Sequence, residues 1–191
     1  YGLTGGYQTK SNTSRFYLGI RLSSGNYYPC GYLSTNYEYG TFFKASNADQ
    51  GVISASVNYF TPLIESRNWK FRQFVKPELI IGINRFSYDT LTLRDGYGLN
   101  GFNSFGLSGT SRLILTLQSQ AYAPWNVAGF HFGPFVNCSF GMLGDAETRF
   151  KNSKIYSQIS IGVLIKNINL VFTSIQLSLS FYPTVPGSGH N

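Results

Sequence analysis

Few residues in this chain could carry covalent chemistry. It has two histidines, His131 and His190, and no serine lies in a hydrolase motif that would pair with either of them. Alternation places His131 in the middle of a predicted strand among polar residues, which favours a hydrogen-bonding role over that of a catalytic base. The histidines therefore predict no active site.

The acidic residues and the cysteines also predict no active site. Glu38 and Glu78 share the polar faces of predicted strands with basic residues such as Arg72, which is typical of charge balance rather than of a general acid and base. Cys30 and Cys138 fit no zinc-site spacing; free thiols are favoured, and a disulfide is the alternative. No phosphate loop or dinucleotide fingerprint is present. We predict a protein that is not an enzyme and has no cofactor and no metal.

A net charge of +7 raises the question of whether the protein binds a nucleic acid. A nucleic-acid interface needs its basic residues clustered on one surface. Here they lie on separate predicted strands: Arg15, Arg21, Lys70, Arg72, Lys76 and Arg112. The sequence therefore predicts no nucleic-acid partner.

A glycine-rich stretch at residues 97–109 precedes the most regular part of the chain. It contains four glycines, which disfavour a strand or helix interior, and also the aromatics Tyr97, Phe102 and Phe105. Aromatic rings among glycines indicate a long loop whose tip packs against the rest of the protein. We place this loop at residues 86–110.

The remainder of the chain alternates apolar and polar residues with the period of a β-strand, and helical periodicity is absent. Residue Pro77 predicts a bulge or a local break in its strand, because proline cannot donate a ladder hydrogen bond. Eight strands are predicted, with a ninth at residues 1–10. The eight are 14–22, 32–43, 52–60, 70–85, 111–123, 128–143, 157–166 and 171–182.

Strand length and face composition indicate the class of β protein. Most of the predicted strands have about 9–13 residues, longer than is usual in soluble sheets and long enough to span a bilayer at a tilt. One face is apolar with aromatics near strand ends, and the other is rich in Ser, Asn and Gln. A soluble β-sandwich or lipocalin-like barrel is the alternative, but its outer face should be dominated by Lys and Glu. We predict an all-β fold, a transmembrane antiparallel β-barrel.

Five segments resemble the C-terminal barrel region of the Omp85 superfamily, which includes the outer-membrane insertases and translocases BamA and TamA. They are YGLNGF at 97–102, LSG at 107–109, SRLILTLQ at 111–118, YAPW at 122–125 and the run 130–143. The closing run at 167–183 is similar to the Bacteroidetes branch of that superfamily.

The resemblance implies a barrel of about 16 strands whose sixth extracellular loop folds back into the lumen. With eight or nine strands, residues 1–191 would form a single portion of such a barrel, its C-terminal part. In this reading, residues 184–191 are a tail or a connection to a missing last strand.

The resemblance also implies which residues hold the loop. In the family the loop tip is Arg-Gly-Phe/Tyr, and Asn100, Gly101 and Phe102 stand at that position here. The family's lumenal Glu and Asp, which bind the arginine, correspond to Gln118 and Ser139. All three charged groups are thus replaced together. Losing the arginine alone would leave two carboxylates unpaired at about 3–5 kcal/mol, whereas a neutral set gives about 1 kcal/mol per hydrogen bond.

We therefore expect the loop to insert but to be held less firmly, with Gln118, Ser139 and Arg112 as its lumenal receptors. The alternative is a displaced loop, or a glycine-rich extracellular loop that does not insert.

The function implied by the resemblance is the insertion or translocation of proteins at the bacterial outer membrane. The implied partners are outer-membrane lipid, substrate outer-membrane or secreted proteins, and other subunits of a membrane complex. The alternative function is a non-translocating barrel: a structural subunit, a passive pore, or an anchor for an absent patatin-like enzymatic domain.

Overall fold

We describe a computed structural model of the chain, which covers residues 1–10, 13–44, 47–86, 88–103, 106–167 and 174–184. The described residues form strands and connections, and no helix among them could cross a membrane. The strands are β1 Gly2–Lys10, β2 Thr13–Tyr28, β3 Gly31–Lys44, β4 Asn47–Phe60, β5 Ile64–Ser66, β6 Trp69–Ile83, β7 Ser111–Tyr122, β8 Asn126–Val127, β9 Phe130–Gly144, β10 Ile155–Asn167 and β11 Ile175–Phe181.

All eleven strands belong to one antiparallel sheet. Its order is β1-β2-β3-β4-β6-β7-β9-β10-β11, so each long strand pairs with the next long strand along the chain. The short strands β5 and β8 pair at the edges of hairpins with β6 and β9. The edge strands β1 and β11 do not pair with each other in the part of the chain that the structure describes, so the sheet is not closed. The predicted all-β, antiparallel fold is confirmed.

One strand is longer than its composition predicts. The predicted strand 14–22 ends too early, because β2 continues through residues 23–28 and stays paired with β3 as far as Tyr28↔Gly31. The hairpin turn is confined to Pro29 and Cys30. Gly25 does not end the strand: it is paired with Ser34 of β3, and a Cβ at this position would lie 2.5 Å from the Tyr32 hydroxyl. The sequence prediction also missed β5 and β8, which have only three and two residues.

Pro77 interrupts one side of its strand, and the predicted local break is confirmed. Towards β7 the pairing of β6 is continuous, with Pro77 opposite Leu115. Towards β4 it stops after Ser56↔Glu78 and resumes at Tyr59↔Val75 in the same register. The strand therefore keeps its register without a bulge but loses the pairs in between, because proline has no N–H to donate.

Burial on the two faces of the sheet is inverted relative to a sheet that packs its apolar face into a core. On one face, which we call the apolar face, Ile161 and Leu177 are 63% and 58% exposed. On the opposite face, the polar face, Gln158 and Ser160 are 1% and 4% exposed. Other exposed members of the apolar face are Phe16, Ile20, Leu22, Tyr37, Tyr39, Ile53, Val136, Ile159, Leu179 and Phe181; other buried members of the polar face are Arg112, Gln120, Asn137 and Ser139.

The apolar core lies on the polar face, beneath the connection between β6 and β7. This connection, which we call loop 84–110, is described except for Ser87, Ser104 and Phe105. Its residues Leu93, Leu99 and Phe102 are buried against Ile114, Leu143 and Tyr156 of the sheet. The predicted packing of Phe105 lies outside the described residues, as do His190 and the tail beyond Thr184.

Candidate functional site on the polar face

Loop 84–110 has a compact fold of its own before it meets the sheet. It enters and leaves side by side, with Leu91 and Gly109 joined by reciprocal backbone hydrogen bonds of 2.7 and 3.0 Å. Asp95 organises the tip: its backbone N–H donates to the Phe102 carbonyl at 2.9 Å, and its Oδ1 accepts from the Gly101 N–H at 2.7 Å. Gly101 has a φ of 69°, in the left-handed region that favours glycine.

Apolar side chains fix this loop to the sheet. Leu99 is fully buried, and Phe102 packs between Tyr156 of β10 and Tyr182 after β11, with ring centroids 5.8 and 5.7 Å apart. A glycine in β9 makes room for the loop, because a Cβ at Gly141 would lie 2.8 Å from Leu93 Cδ2. The burial of these side chains supplies the main free energy of docking.

Arg112 joins the loop to the sheet electrostatically. Its Nη2 donates to Glu78 Oε1 of the neighbouring strand at 2.7 Å, and its Nη1 donates to the Thr92 carbonyl of the loop at 3.3 Å. The arginine side chain is only 9% exposed, whereas Glu78 is half-buried. Arg112 therefore contacts loop 84–110, as expected, through the backbone at Thr92 and not through the tip.

The tip is held through a backbone carbonyl. The carbonyl of Asn100 accepts hydrogen bonds from Gln158 Nε2 of β10, at 3.0 Å, and from the Tyr182 hydroxyl. Gln158 is fully buried. A neutral amide and a phenol thus anchor the tip, and no charged group takes part in these bonds.

The direct receptors expected from the resemblance differ from those in the structure. Among the described residues, no hydrogen bond joins Gln118 or Ser139 to the tip. Gln118 donates to Gln120 at 3.3 Å, while Ser139 bonds to Thr116 and Asn137 at 3.3 and 3.1 Å. Both line the polar cavity that also contains Asn100, so they lie near the tip without holding it. Ser139 lies on β9, and Gln158 is its direct cross-strand neighbour on β10. The loop tip therefore binds one strand further along the sheet than expected.

Sequence reasoning missed Gln158 and Tyr182 as receptors. Alternation along the last two strands does assign both to the polar face, and Gln158 is the one long side chain among the small residues Ser160 and Gly162. That signal identifies candidates for contact but not the residue that the loop reaches. A loop's landing position depends on its own turns, which strand periodicity does not encode.

The polar face carries no recognisable catalytic arrangement in the described residues. No group of three or more His, Cys, Asp or Glu side chains there could hold a metal ion. His131 is exposed and is the second residue of β9, not in the middle of a strand as predicted; Cys30 and Cys138 are both free thiols. The chemistry available is hydrogen bonding by amides and hydroxyls, together with the ion pair of Arg112.

Fold and site together define an all-β protein built on one antiparallel sheet, with its polar face covered by a docked loop and its apolar face exposed. Comparison with known proteins gave no match among family models, curated proteins or solved structures.

Proposed function

We propose that the chain is a portion of an Omp85-type outer-membrane β-barrel that assists the insertion or translocation of other proteins. The polar face encloses an aqueous lumen, loop 84–110 lies inside it, and the apolar face contacts lipid. The sheet contributes nine long strands, and strands outside this chain complete the barrel. The proposed activity involves no covalent chemistry.

The observation that carries the proposal is the inverted burial of the sheet. An exposed surface rich in Ile, Leu, Phe and Tyr, extending over most of the strands, is unfavourable in water and favourable in lipid. The opposite face buries amides, hydroxyls and an arginine, as a plugged lumen requires. The long strands between the two edge strands have 12 to 16 residues, as in β7 and β2, and are long enough to cross a bilayer.

Adjacent residues on β11 provide a matched test of membrane orientation in the full-length protein. Leu177 is exposed on the apolar face and Gln176 on the polar face. Leu177→Arg would place a charge in lipid and should destabilise the barrel by about 2–4 kcal/mol near the bilayer centre. Gln176→Arg, pointing into water, should leave assembly intact. Membrane fractionation and the heat-dependent gel shift of folded barrels measure both; equal behaviour of the two variants would reject the orientation.

The insertion activity is tested separately with the full-length protein in liposomes. Folding of a small unfolded barrel protein, followed by gel shift and protease protection, should be faster than in liposomes that contain an unrelated porin. An equal rate would remove the insertion role while leaving the membrane barrel in place.

The neutral anchoring of the tip favours a second candidate, a non-translocating barrel that serves as a structural subunit of a membrane complex. Gln158 and Tyr182 hold the Asn100 carbonyl without charged partners, and Phe102 is buried beside them. A loop docked in this way suits a closed structural subunit. Absence of insertion activity, with low conductance in planar bilayers that rises on loop deletion, would favour this candidate.

A further inference from the structure

Basic residues that are dispersed in the sequence gather at one end of the sheet. We call this the distal end, because it lies opposite to the end at which loop 84–110 leaves and re-enters the sheet; it contains the connections 29–30, 61–68 and 123–129. In the described residues between the level of Glu78 and this end, Glu65 is the one carboxylate. Five basic residues lie there, which we call the basic strip: Arg67, Lys70, Arg72, Lys76 and Lys166.

The members of the strip that belong to long strands project from the polar face. Lys70, Arg72 and Lys76 are separated by even numbers of residues along β6, so they share one face, at intervals of about 7 Å and about 13 Å along the strand. That face is the polar one, since Lys76 lines the cavity that contains Gln158. Lys166 is eight residues after Gln158 on β10 and therefore lies on the same face.

The positive charge in the centre of the strip is held in place but not neutralised. The guanidinium of Arg72 lies over the Phe60 ring, 4.8 Å from its centroid, and the Lys76 ammonium lies 5.7 Å from the centroid of Phe74. Neither cation forms an ion pair with a carboxylate in the described part of the chain. An aromatic ring orients a cation through its quadrupole and leaves the net charge unchanged.

The strip leads from the distal end to a cavity beside the loop tip. The cavity has a volume of about 430 Å³ and lies at the break between β4 and β6, with Asn58 and Lys76 on the sheet side and Tyr97 on the loop side. The carboxylate that lines it, Glu78, is already paired with Arg112. Lys76 and Asn58 are both exposed, so a partner can reach this part of the strip.

Charge and spacing indicate an acidic polypeptide in extended form. An excess of basic over acidic groups attracts a partner that carries carboxylates. The interval of about 7 Å between Lys70 and Arg72 is also the interval between alternate side chains of an extended peptide. Acidic residues at every second position of such a peptide can therefore face successive cations. The exposed amide of Asn58 can exchange hydrogen bonds with its backbone.

We propose that the basic strip binds an acidic, extended segment of another polypeptide chain. The segment enters from the distal end, lies along β6 and places an acidic side chain next to Lys76 at the mouth of the cavity. The strip requires only the polar face of the sheet. It is therefore independent of any role in protein insertion, and a structural subunit would bind the same segment.

Fluorescence anisotropy on the full-length protein in detergent micelles tests the proposal with three labelled probes. They are a peptide of alternating Glu and Ser, the corresponding peptide of alternating Lys and Ser, and a single-stranded oligothymidine. We expect the Glu peptide to bind, with an affinity that falls as salt is raised, and the Lys peptide not to bind. Failure of the Glu peptide to bind at low salt would overturn the proposal. Equal affinity for the oligothymidine would also overturn it, since the strip would then attract any polyanion.

Substitutions locate the binding on the strip. Lys76→Gln and Arg72→Gln each remove one unneutralised charge and should weaken binding of the Glu peptide about two- to fivefold. Glu65→Gln removes the carboxylate that pairs with Lys70 and should strengthen binding about twofold, a gain that misfolding would not produce.

The matched control is Lys154→Gln, an exposed lysine in the connection between β9 and β10 at the other end of the sheet. It removes the same charge and should not change the Kd. Equal weakening by Lys154→Gln and Lys76→Gln would overturn the proposal, because the net charge of the protein and not the strip would then govern binding. Lys76 is exposed, so its variant tests the proposal even if Arg72→Gln does not fold.

Discussion

Two regions of the same face behave differently. On β7, β9 and β10, which we call the covered region, the polar face is roofed by loop 84–110 and buries Asn137, Ser139 and Gln158. On β1, β2 and β3, the open region, most residues on the same face are exposed or half-buried, whereas Gly19 and Gly40 are buried. The strands have the same alternation in both regions, and the loop residues Leu93, Leu99 and Phe102 pack on the covered region.

Two ion pairs show what this difference does to an interaction. In the open region, Arg21 Nε lies 2.6 Å from Glu38 Oε1, and the side chains are 64% and 46% exposed. In the covered region, Arg112 Nη2 lies 2.7 Å from Glu78 Oε1, but the arginine is only 9% exposed. The distances are nearly equal, yet solvent screens the first pair far more than the second. Coverage by a loop, rather than bond length, decides which pair contributes to stability.

The largest expected effect in the covered region comes from its apolar anchor. Phe102→Ala leaves a cavity between Tyr156 and Tyr182 and should lower the free energy of unfolding by about 3–4 kcal/mol. Guanidinium unfolding of the full-length protein in detergent, followed by tryptophan fluorescence, measures the loss. Tyr97→Ala, at an exposed loop position, is the control. A loss below about 1 kcal/mol for Phe102→Ala would mean that the loop does not roof the sheet in solution.

The two ion pairs provide the next comparison. Arg112→Met leaves Glu78 and the Thr92 carbonyl without their donor and should destabilise the protein by about 2 kcal/mol. Arg21→Met should cost less than about 0.5 kcal/mol, and its effect should vanish at high salt. The same unfolding experiment at low and high salt measures both variants. Equal losses would show that the covered and open regions are equally solvated.

A smaller effect is expected for the phenol that anchors the tip. Tyr182→Phe keeps the ring against Phe102 and removes only the hydroxyl that donates to the Asn100 carbonyl, so the loss should be about 1 kcal/mol. Hydrogen exchange at the Leu99 and Phe102 amides should rise in this variant, while exchange in β2 should not change. Unchanged exchange at the tip would contradict the assignment of Tyr182 as an anchor.

The smallest effect is expected at the residue that the family resemblance emphasises most. The described hydrogen bonds of Asn100 to Gln158 and Tyr182 use its backbone carbonyl, so Asn100→Ala should change the free energy of unfolding by less than about 0.5 kcal/mol. Measurement is by the same unfolding experiment, with Tyr182→Phe as reference. A larger loss than that of Tyr182→Phe would indicate that the side chain of Asn100 has a role of its own.

The parts of the fold that follow from local periodicity were predictable. Alternation identified the nine long strands and their two faces, and the missing N–H of Pro77 predicted the break in its strand. The continuation of β2 through Gly25 was not predictable, because it depends on pairing with the next strand, as in Gly25↔Ser34.

The candidate site shows the same division between local and non-local information. Packing of the Phe102 tip onto the polar face was anticipated from aromatics among glycines, and the structure shows that packing. The anchoring by Gln158 and Tyr182 was not anticipated, because it depends on how far a folded loop reaches across the strands. The hydrogen bonds of Asp95 to Gly101 and Phe102 help to shape the loop tip.

The break opposite Pro77 lies between β4 and β6, so it separates β1 to β4 from the strands β6 to β11. Neither Val57 nor Asn58 is paired across it, so a lateral pull on the sheet is borne there by the flanking pairs Ser56↔Glu78 and Tyr59↔Val75. Pro77 alone therefore defines a line of weaker strand pairing in the sheet. We expect the sheet to bend first between β4 and β6, with the strands β6 to β11 moving together as one unit.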